Sequence, residues 1–80
     1  MTRITVYHKP NCVQCDATMH RLVRLGLAFE TVDLTKDAEA YARATAAGHR
    51  QAPVVAVDGQ IAWSGFQPDL LDALASEVEP

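Results

Sequence analysis

Cys12 and Cys15 lie three positions apart and are the only two cysteines in this chain of 80 residues. They follow a short β-branched run at residues 4–7 and precede a stretch with helical periodicity. At the N-terminus of a helix the first thiol faces unpaired backbone N–H groups, which favour the thiolate and hence a nucleophile near neutral pH. The motif therefore predicts a redox-active dithiol at a strand–helix junction.

Length and charge limit the other functions that are open to the chain. We expect one domain over residues 1–80 with one modest core, and a monomer. The net charge of −3 argues against nucleic-acid binding, and no apolar run approaches the ~20 residues that span a membrane. No apolar signal segment precedes the first strand, so we expect a cytoplasmic protein. In that compartment a lone cysteine pair is seldom a permanent cross-link.

The pattern predicts an α/β fold with the order β-α-β-α-β-β-α, four strands in a mixed sheet and three helices. The strands are predicted at residues 4–7, 29–34, 53–57 and 60–63, with a parallel first pair and a hairpin at Asp58-Gly59 between the last two. The predicted helices run over residues 12–25, from an N-cap at Thr35 to Gly48, and from Pro68 onward. Their expected buried residues are Met19, Leu22 and Val23 in the first helix and Leu70, Leu71, Leu74 and Val78 in the last.

Five short motifs extend this pattern along the chain. They are Tyr7, Lys9-Pro10, Cys12-Val13-Gln14-Cys15, Gln51-Ala52-Pro53-Val54 and Trp63-Ser64-Gly65-Phe66. The order of elements, with C-x-x-C after the first strand, resembles the thioredoxin fold in its minimal, glutaredoxin-like form. Together the five motifs resemble the NrdH-redoxins over essentially the whole chain.

The resemblance implies a dithiol–disulfide oxidoreductase that serves electron transport, cell redox homeostasis and deoxyribonucleotide synthesis. Members of that family donate electrons to the large subunit of class Ib ribonucleotide reductase. They are re-reduced by thioredoxin reductase with electrons from NADPH, not by glutathione, and hold no bound cofactor. By resemblance Cys12 is the attacking thiol and Cys15 the resolving one, and Pro53 is a cis-proline beside them.

The candidate substrate-binding residues lie in three of the motifs. They are Val13, Gln14, Gln51, Ala52, Pro53, Trp63, Ser64, Gly65 and Phe66. A cis bond at Pro53 would turn the backbone of Ala52 outward, where an extended substrate could pair with it like an added strand. We expect Phe66 mainly to pack, and Trp63 either to cover the groove or to lie in the core. The open surface beside Cys12, edged by Trp63, is expected to be apolar.

Lys9 and His8 are candidates for tuning Cys12, although a solvated side chain is the favoured interpretation of each. His8, His49 and Gln67 depart from the residues that the family commonly has, and Gln67 removes an arginine that could form an ion pair.

Three other functions remain to be weighed. A glutathione-dependent glutaredoxin typically has Thr-Val-Pro and Gly-Gly where this chain has Gln51-Ala52-Pro53 and Ser64-Gly65-Phe66. A zinc site would have to join the two thiols to the scattered His8, His20 and His49, and an iron–sulfur site would need borrowed ligands, so we expect no metal. A purely structural disulfide is disfavoured because a four-residue loop constrains little of the unfolded chain.

Overall fold

Seven elements follow one another in the predicted order in the structure, a computed structural model that describes residues 2–77. The strands are β1 (Ile4–His8), β2 (Glu30–Asp33), β3 (Val54–Val57) and β4 (Gln60–Ser64). The helices are α1 (Val13–Arg24), α2 (Ala38–Ala46) and α3 (Pro68–Glu77). The predicted fold class is confirmed.

The four strands form one mixed sheet in the order β2-β1-β3-β4. β1 and β2 are parallel and joined through α1, whereas β3 runs antiparallel to both of its neighbours. The hairpin between β3 and β4 turns at Asp58 and Gly59, whose φ angles of 52° and 83° are the positive pair that a tight two-residue turn needs. β1 therefore lies inside the sheet. Because β1 and β3 are antiparallel, the loop after β1 and the turn before β3 lie at the same end of the sheet.

The two faces of the sheet bury different sets of side chains. Ile4, Val6 and Val55 face α1 and α3, where they pack with Leu22, Leu71 and Leu74. Tyr7, Val54 and Ala56 face α2, where they pack with Ala40 and Ala44. Since successive residues of a strand point to opposite faces, β3 is buried on both sides, as its continuous apolar sequence predicts.

Helix α1 lies on the sheet by a different stripe from the predicted one. Its buried residues are Cys15, Thr18 and Leu22, with Met19 partly buried, whereas Val23 is 64% exposed. Thr18 tolerates complete burial because its hydroxyl donates to the backbone carbonyl of Gln14 at 2.9 Å. The prediction of a buried Val23 is wrong.

In α3 the predicted buried face is right in part. Leu71 and Leu74 are buried, but Leu70 is 41% exposed because it lies one position, about 100° of helix rotation, before Leu71. Val78, also predicted to be buried, lies outside the described residues.

The N-cap of α2 is Asp37 rather than the predicted Thr35. The Asp37 carboxylate accepts the backbone N–H of Ala40 at 3.0 Å. Thr35 instead donates both its backbone N–H and its hydroxyl to Asp33, at 2.8 and 2.6 Å, and these hydrogen bonds lower the pKa of the Asp33 carboxyl. The helix therefore begins two residues later than an N-cap at Thr35 would allow.

Candidate active site

Cys12 is the N-cap of α1, and the helix begins one residue later than predicted. The backbone of Cys12 is extended, with φ of −117°, and follows a turn at Asn11, where φ is +57°. Cys12 and Cys15 are joined in a disulfide with Cα atoms 5.2 Å apart. The Sγ atom of Cys12 accepts the backbone N–H of Cys15 at 3.1 Å. In the reduced protein this N–H is placed to stabilise negative charge on Cys12.

The two cysteines differ in exposure, but less than expected. Cys15 is fully buried and Cys12 is 8% exposed. The carbonyl oxygen of Ala52 lies 3.7 Å from the Cys12 sulfur and covers part of it. Cys12 is the more accessible residue of the two, but it is itself largely buried, so the prediction that it is open to solvent is wrong.

The turn before β3 connects Cys12 to the loop after β4. The Ala52–Pro53 peptide bond is cis and Pro53 is buried. On one side the Ala52 carbonyl faces Cys12, and on the other the Pro53 carbonyl accepts the backbone N–H of Gly65 at 2.8 Å. The turn at Ala52 and Pro53 therefore contacts both the Cys12 sulfur and the loop after β4.

Gln14, inside the cysteine motif, holds the loop after β4 in place. Its side-chain oxygen accepts the backbone N–H of Phe66 at 3.0 Å, and Gly65 adopts a φ of +82° to make the turn. Phe66 itself is 37% exposed, so part of it is covered and part of it lies at the surface. Val13, on the neighbouring position of α1, is 83% exposed. Two exposed apolar residues thus lie at the cysteine motif: Val13 is part of it, and Phe66 is joined to it through Gln14.

Of the two alternatives for Trp63, the structure favours packing. The indole is partly buried against the core between the sheet and α1 and α3, on the strand position opposite Val55. Its Nε1 atom is buried and has no hydrogen-bond acceptor among the described residues.

A cavity of about 410 Å³ opens beside Cys12. Its lining residues are Lys9, Cys12, Val13, Gln14, Arg50, Gln51 and Ala52. Trp63 is not among them, and two of them, Lys9 and Arg50, are cationic. The expected apolar surface is therefore found only at Val13 and Phe66, and Trp63 does not edge this cavity. Arg50 was missed in the sequence, although its place directly before the Gln51-Ala52-Pro53 motif was a usable signal.

Of the two candidates for tuning Cys12, Lys9 and His8, only Lys9 lines the cavity beside this cysteine. His8 lies outside this cavity and close to Asp33. The pKa of the Asp33 carboxyl is lowered mainly by the hydrogen bonds from Thr35 and to a smaller extent by the charge of His8. Within residues 2–77 no group of three or more His, Cys, Asp or Glu side chains is placed to hold a metal ion. No helix in that range is long and apolar enough to cross a membrane.

Comparison with known proteins identifies the family. Residues 4–62 match the family model of glutaredoxin. The chain is 42% identical over 72 residues to the glutaredoxin-like protein NrdH of Escherichia coli K12, which covers 90% of this chain and 88% of that protein. This chain belongs to the NrdH-redoxins of the glutaredoxin family.

Two further NrdH comparisons agree with this assignment. The glutaredoxin-like protein NrdH of Salmonella typhimurium is 47% identical over 73 residues, covering 89% of this chain and 86% of that one. The solved structure of the E. coli NrdH-redoxin superposes with a TM-score of 0.84 at 40% identity, covering 90% and 93% of the two chains. As an NrdH-redoxin, the protein is a thiol–disulfide oxidoreductase of thioredoxin-like fold, with Cys12 and Cys15 as its C-x-x-C pair.

Proposed function

We propose that the protein is a cytoplasmic, monomeric, single-domain electron donor to the large subunit of class Ib ribonucleotide reductase. Its electrons come from NADPH through thioredoxin reductase, and it holds no cofactor of its own. The proposal is supported by the similarity to NrdH proteins along nine-tenths of the chain. It is also supported by the structure of the E. coli relative, which is described as having a thioredoxin-like activity profile.

The structural observation that carries the disulfide exchange is the asymmetry of the two sulfurs, whereas the partners rest on the similarity to NrdH proteins. Cys12 caps α1, accepts the N–H of Cys15 and lies at the wall of a cavity, whereas Cys15 is fully buried. In the reduced protein the Cys12 thiolate attacks one sulfur of a substrate disulfide. A mixed disulfide forms, and the other substrate sulfur leaves as a thiolate and takes up a proton.

Cys15 then completes the reaction from inside the helix. Its thiol loses a proton and attacks the Cys12 sulfur, which forms the Cys12–Cys15 disulfide and releases the second substrate sulfur as a thiolate that is protonated. The substrate has gained two electrons and two protons. The protein has lost two electrons and the Cys15 proton, and the second proton comes from the solvent, to which Cys12 gave up its own proton on ionisation. Thioredoxin reductase restores the dithiol by the same exchange in reverse.

The backbone beside Cys12 is the proposed docking edge for the substrate. The Ala52 carbonyl lies next to the sulfur, so an extended segment that pairs with Gln51 and Ala52 brings its own disulfide to Cys12. Val13, Gln14 and Phe66 border this position on the opposite side, and Pro53, Trp63, Ser64 and Gly65 support it from within the fold.

The test is a coupled assay with the class Ib ribonucleotide reductase and two sources of electrons. We expect turnover with NADPH and thioredoxin reductase, and little turnover with NADPH, glutathione and glutathione reductase. The variant Cys12→Ser, which cannot form the disulfide, is the control that measures turnover without electron transfer through the protein. Equal turnover from the two sources would contradict the proposal.

A glutathione-dependent glutaredoxin is the second candidate, and one observation favours it. Lys9 and Arg50 give the cavity beside Cys12 a positive charge that suits an anionic tripeptide. Dominant turnover in the glutathione arm of the same assay would establish this function instead.

A further inference from the structure

A second cavity, of about 300 Å³, continues from the first toward α2. The two cavities share the side chains or backbone of Lys9, Arg50, Gln51 and Ala52. We call the combined space the cationic groove. Its far part has an apolar floor made by Leu34, Ala44 and Val54. The groove therefore leads from the Cys12 sulfur along the docking edge to the surface of α2.

The charge of the groove is opposite to that of the protein as a whole. The chain carries a net charge of −3, yet neither cavity has an aspartate or glutamate among its lining residues. Within residues 2–77 the ion pairs are Arg3–Glu30 and Arg21–Asp72, so Lys9 and Arg50 are not neutralised by a partner there. Two cationic residues without an ion-pair partner in that range therefore line a groove that reaches Cys12.

We propose that the cationic groove selects acidic protein segments as disulfide substrates. The segment lies extended along Gln51 and Ala52, presents its disulfide to Cys12 and places a carboxylate side chain near Lys9 and Arg50. Alternate side chains of an extended segment point the same way about 7 Å apart, so the carboxylate belongs within two residues of the reacting cysteine. This inference rests on the proposed function and specifies its substrate class.

The apolar floor separates a protein segment from glutathione as the occupant. Both bring carboxylates to Lys9 and Arg50, but glutathione has no apolar side chain to cover Leu34, Ala44 and Val54. A longer segment can bury an aliphatic or aromatic side chain there while its carboxylate stays at the groove wall.

The test compares two synthetic peptides of equal length, each closed by one internal disulfide. One peptide has glutamate at the positions within two residues of the cysteines, and the other has glutamine. The protein is reduced beforehand and separated from reductant, and single-turnover reduction is followed by chromatography of the peptides. At low ionic strength we expect the glutamate peptide to react about fivefold faster, with the ratio falling toward one as salt is added.

Matched variants locate this preference. Lys9→Gln combined with Arg50→Gln is expected to bring the ratio close to one, whereas Arg24→Gln, which removes an exposed cation outside both cavities, leaves it near five. Use of the ratio cancels any change in the reactivity of Cys12 itself. Equal rates for the two peptides in the unmodified protein would overturn the inference, as would a preference that survives in the double variant.

Glutathione disulfide is the third substrate of the test. A double variant that slows its reduction more than that of the glutamate peptide would assign the groove to glutathione and overturn the inference. No reductase takes part in these measurements. A failed peptide preference is therefore distinct from a failed coupling to thioredoxin reductase.

Discussion

Cys12 lies between two surfaces of opposite character. On one side is the cationic groove, with Lys9 and Arg50 along its wall. On the other is a pair of exposed apolar side chains, Val13 and Phe66, which we call the apolar side. Val13 stands where the two surfaces meet, because it also lines the cavity beside Cys12. The charged surface distinguishes partners by their charge, whereas an apolar surface of two side chains adds affinity with little discrimination.

The two surfaces are also fixed in different ways. The apolar side is held by the hydrogen bond from the Phe66 backbone to Gln14, within the cysteine motif itself. The cationic groove comes from the turn before β3, which reaches Cys12 through the Ala52 carbonyl. Any partner that exchanges a disulfide with Cys12 meets both surfaces. We therefore expect the apolar side to act on every partner and the groove only on acidic ones.

The largest effect is expected from replacing Cys12, the sulfur that we assign as the attacking nucleophile between these two surfaces. Cys12→Ser should lower disulfide reduction by about three orders of magnitude or more, because the first attack is lost. Cys15→Ser should instead accumulate a mixed disulfide with the substrate, since only the second attack is lost. Mass spectrometry of the two variants after mixing with a disulfide peptide separates these outcomes. Appreciable reduction by Cys12→Ser would mean that the buried Cys15 attacks first and that neither surface matters.

A substitution on the apolar side should weaken every reaction to a similar degree. Phe66→Ser is expected to lower kcat/KM about tenfold, both with thioredoxin reductase and with the glutamine and glutamate peptides, because an exposed apolar contact is lost and no charge is added. Val23→Ser is the matched control, since Val23 is an exposed apolar residue of α1 that lines neither cavity. A loss confined to one of the two peptides would show that Phe66 takes part in selection and would remove the comparison.

Loss of the bond that positions the apolar side should have a smaller effect. Gln14→Ala removes the acceptor of the Phe66 N–H and is expected to lower the free energy of unfolding by about 1 kcal/mol or less. The same variant should lower kcat/KM with thioredoxin reductase a few-fold, since Phe66 is retained but less well held. Gln60→Ala, at an exposed glutamine of β4, serves as the control in chemical denaturation and in the kinetic assay. Activity unchanged in Gln14→Ala would show that the loop keeps its position without this bond.

The parts of the fold that rest on local pattern could be predicted from the sequence. The Asp58-Gly59 turn, the doubly buried β3 and the cysteine pair at the start of α1 each depend on residues adjacent in the chain. The N-cap at Thr35 failed for a local reason too. Asp33 binds the Thr35 hydroxyl, and a sequence does not show which of two nearby acceptors will bind it.

The character of the site could not be predicted, because it depends on distant contacts. Gln14 and Phe66 are 52 positions apart, and Arg50 reaches the cavity only through the fold of the turn before β3. The exposed Val23 has a local cause instead. The buried stripe of α1 runs through Cys15, Thr18 and Leu22, and Thr18 tolerates burial because its hydroxyl donates to the Gln14 carbonyl.

The smallest effect is expected from breaking the ion pair between α1 and α3. Arg21 of α1 donates two hydrogen bonds to Asp72 of α3, at 2.9 and 2.6 Å, and these bonds lower the pKa of the Asp72 carboxyl from its usual value of 3.8. A carboxyl whose pKa is lower in the folded state stabilises the fold above its unfolded pKa, and this contribution is lost as the pH falls through the folded pKa. Asp72→Asn should therefore lower Tm by a few degrees at neutral pH and have no such effect in strong acid.

A double-mutant cycle with Arg21→Gln isolates this pair from the other carboxylates. At neutral pH the double variant should lose less stability than the sum of the two single variants, because each single change already breaks the same pair. Both side chains are close to half-exposed, so salt should reduce the coupling. Catalytic rates with the glutamate and glutamine peptides should keep their ratio in all three variants, since the pair does not line the cationic groove. A changed ratio would show that the groove depends on the packing of α3, and that the two surfaces beside Cys12 are not independent.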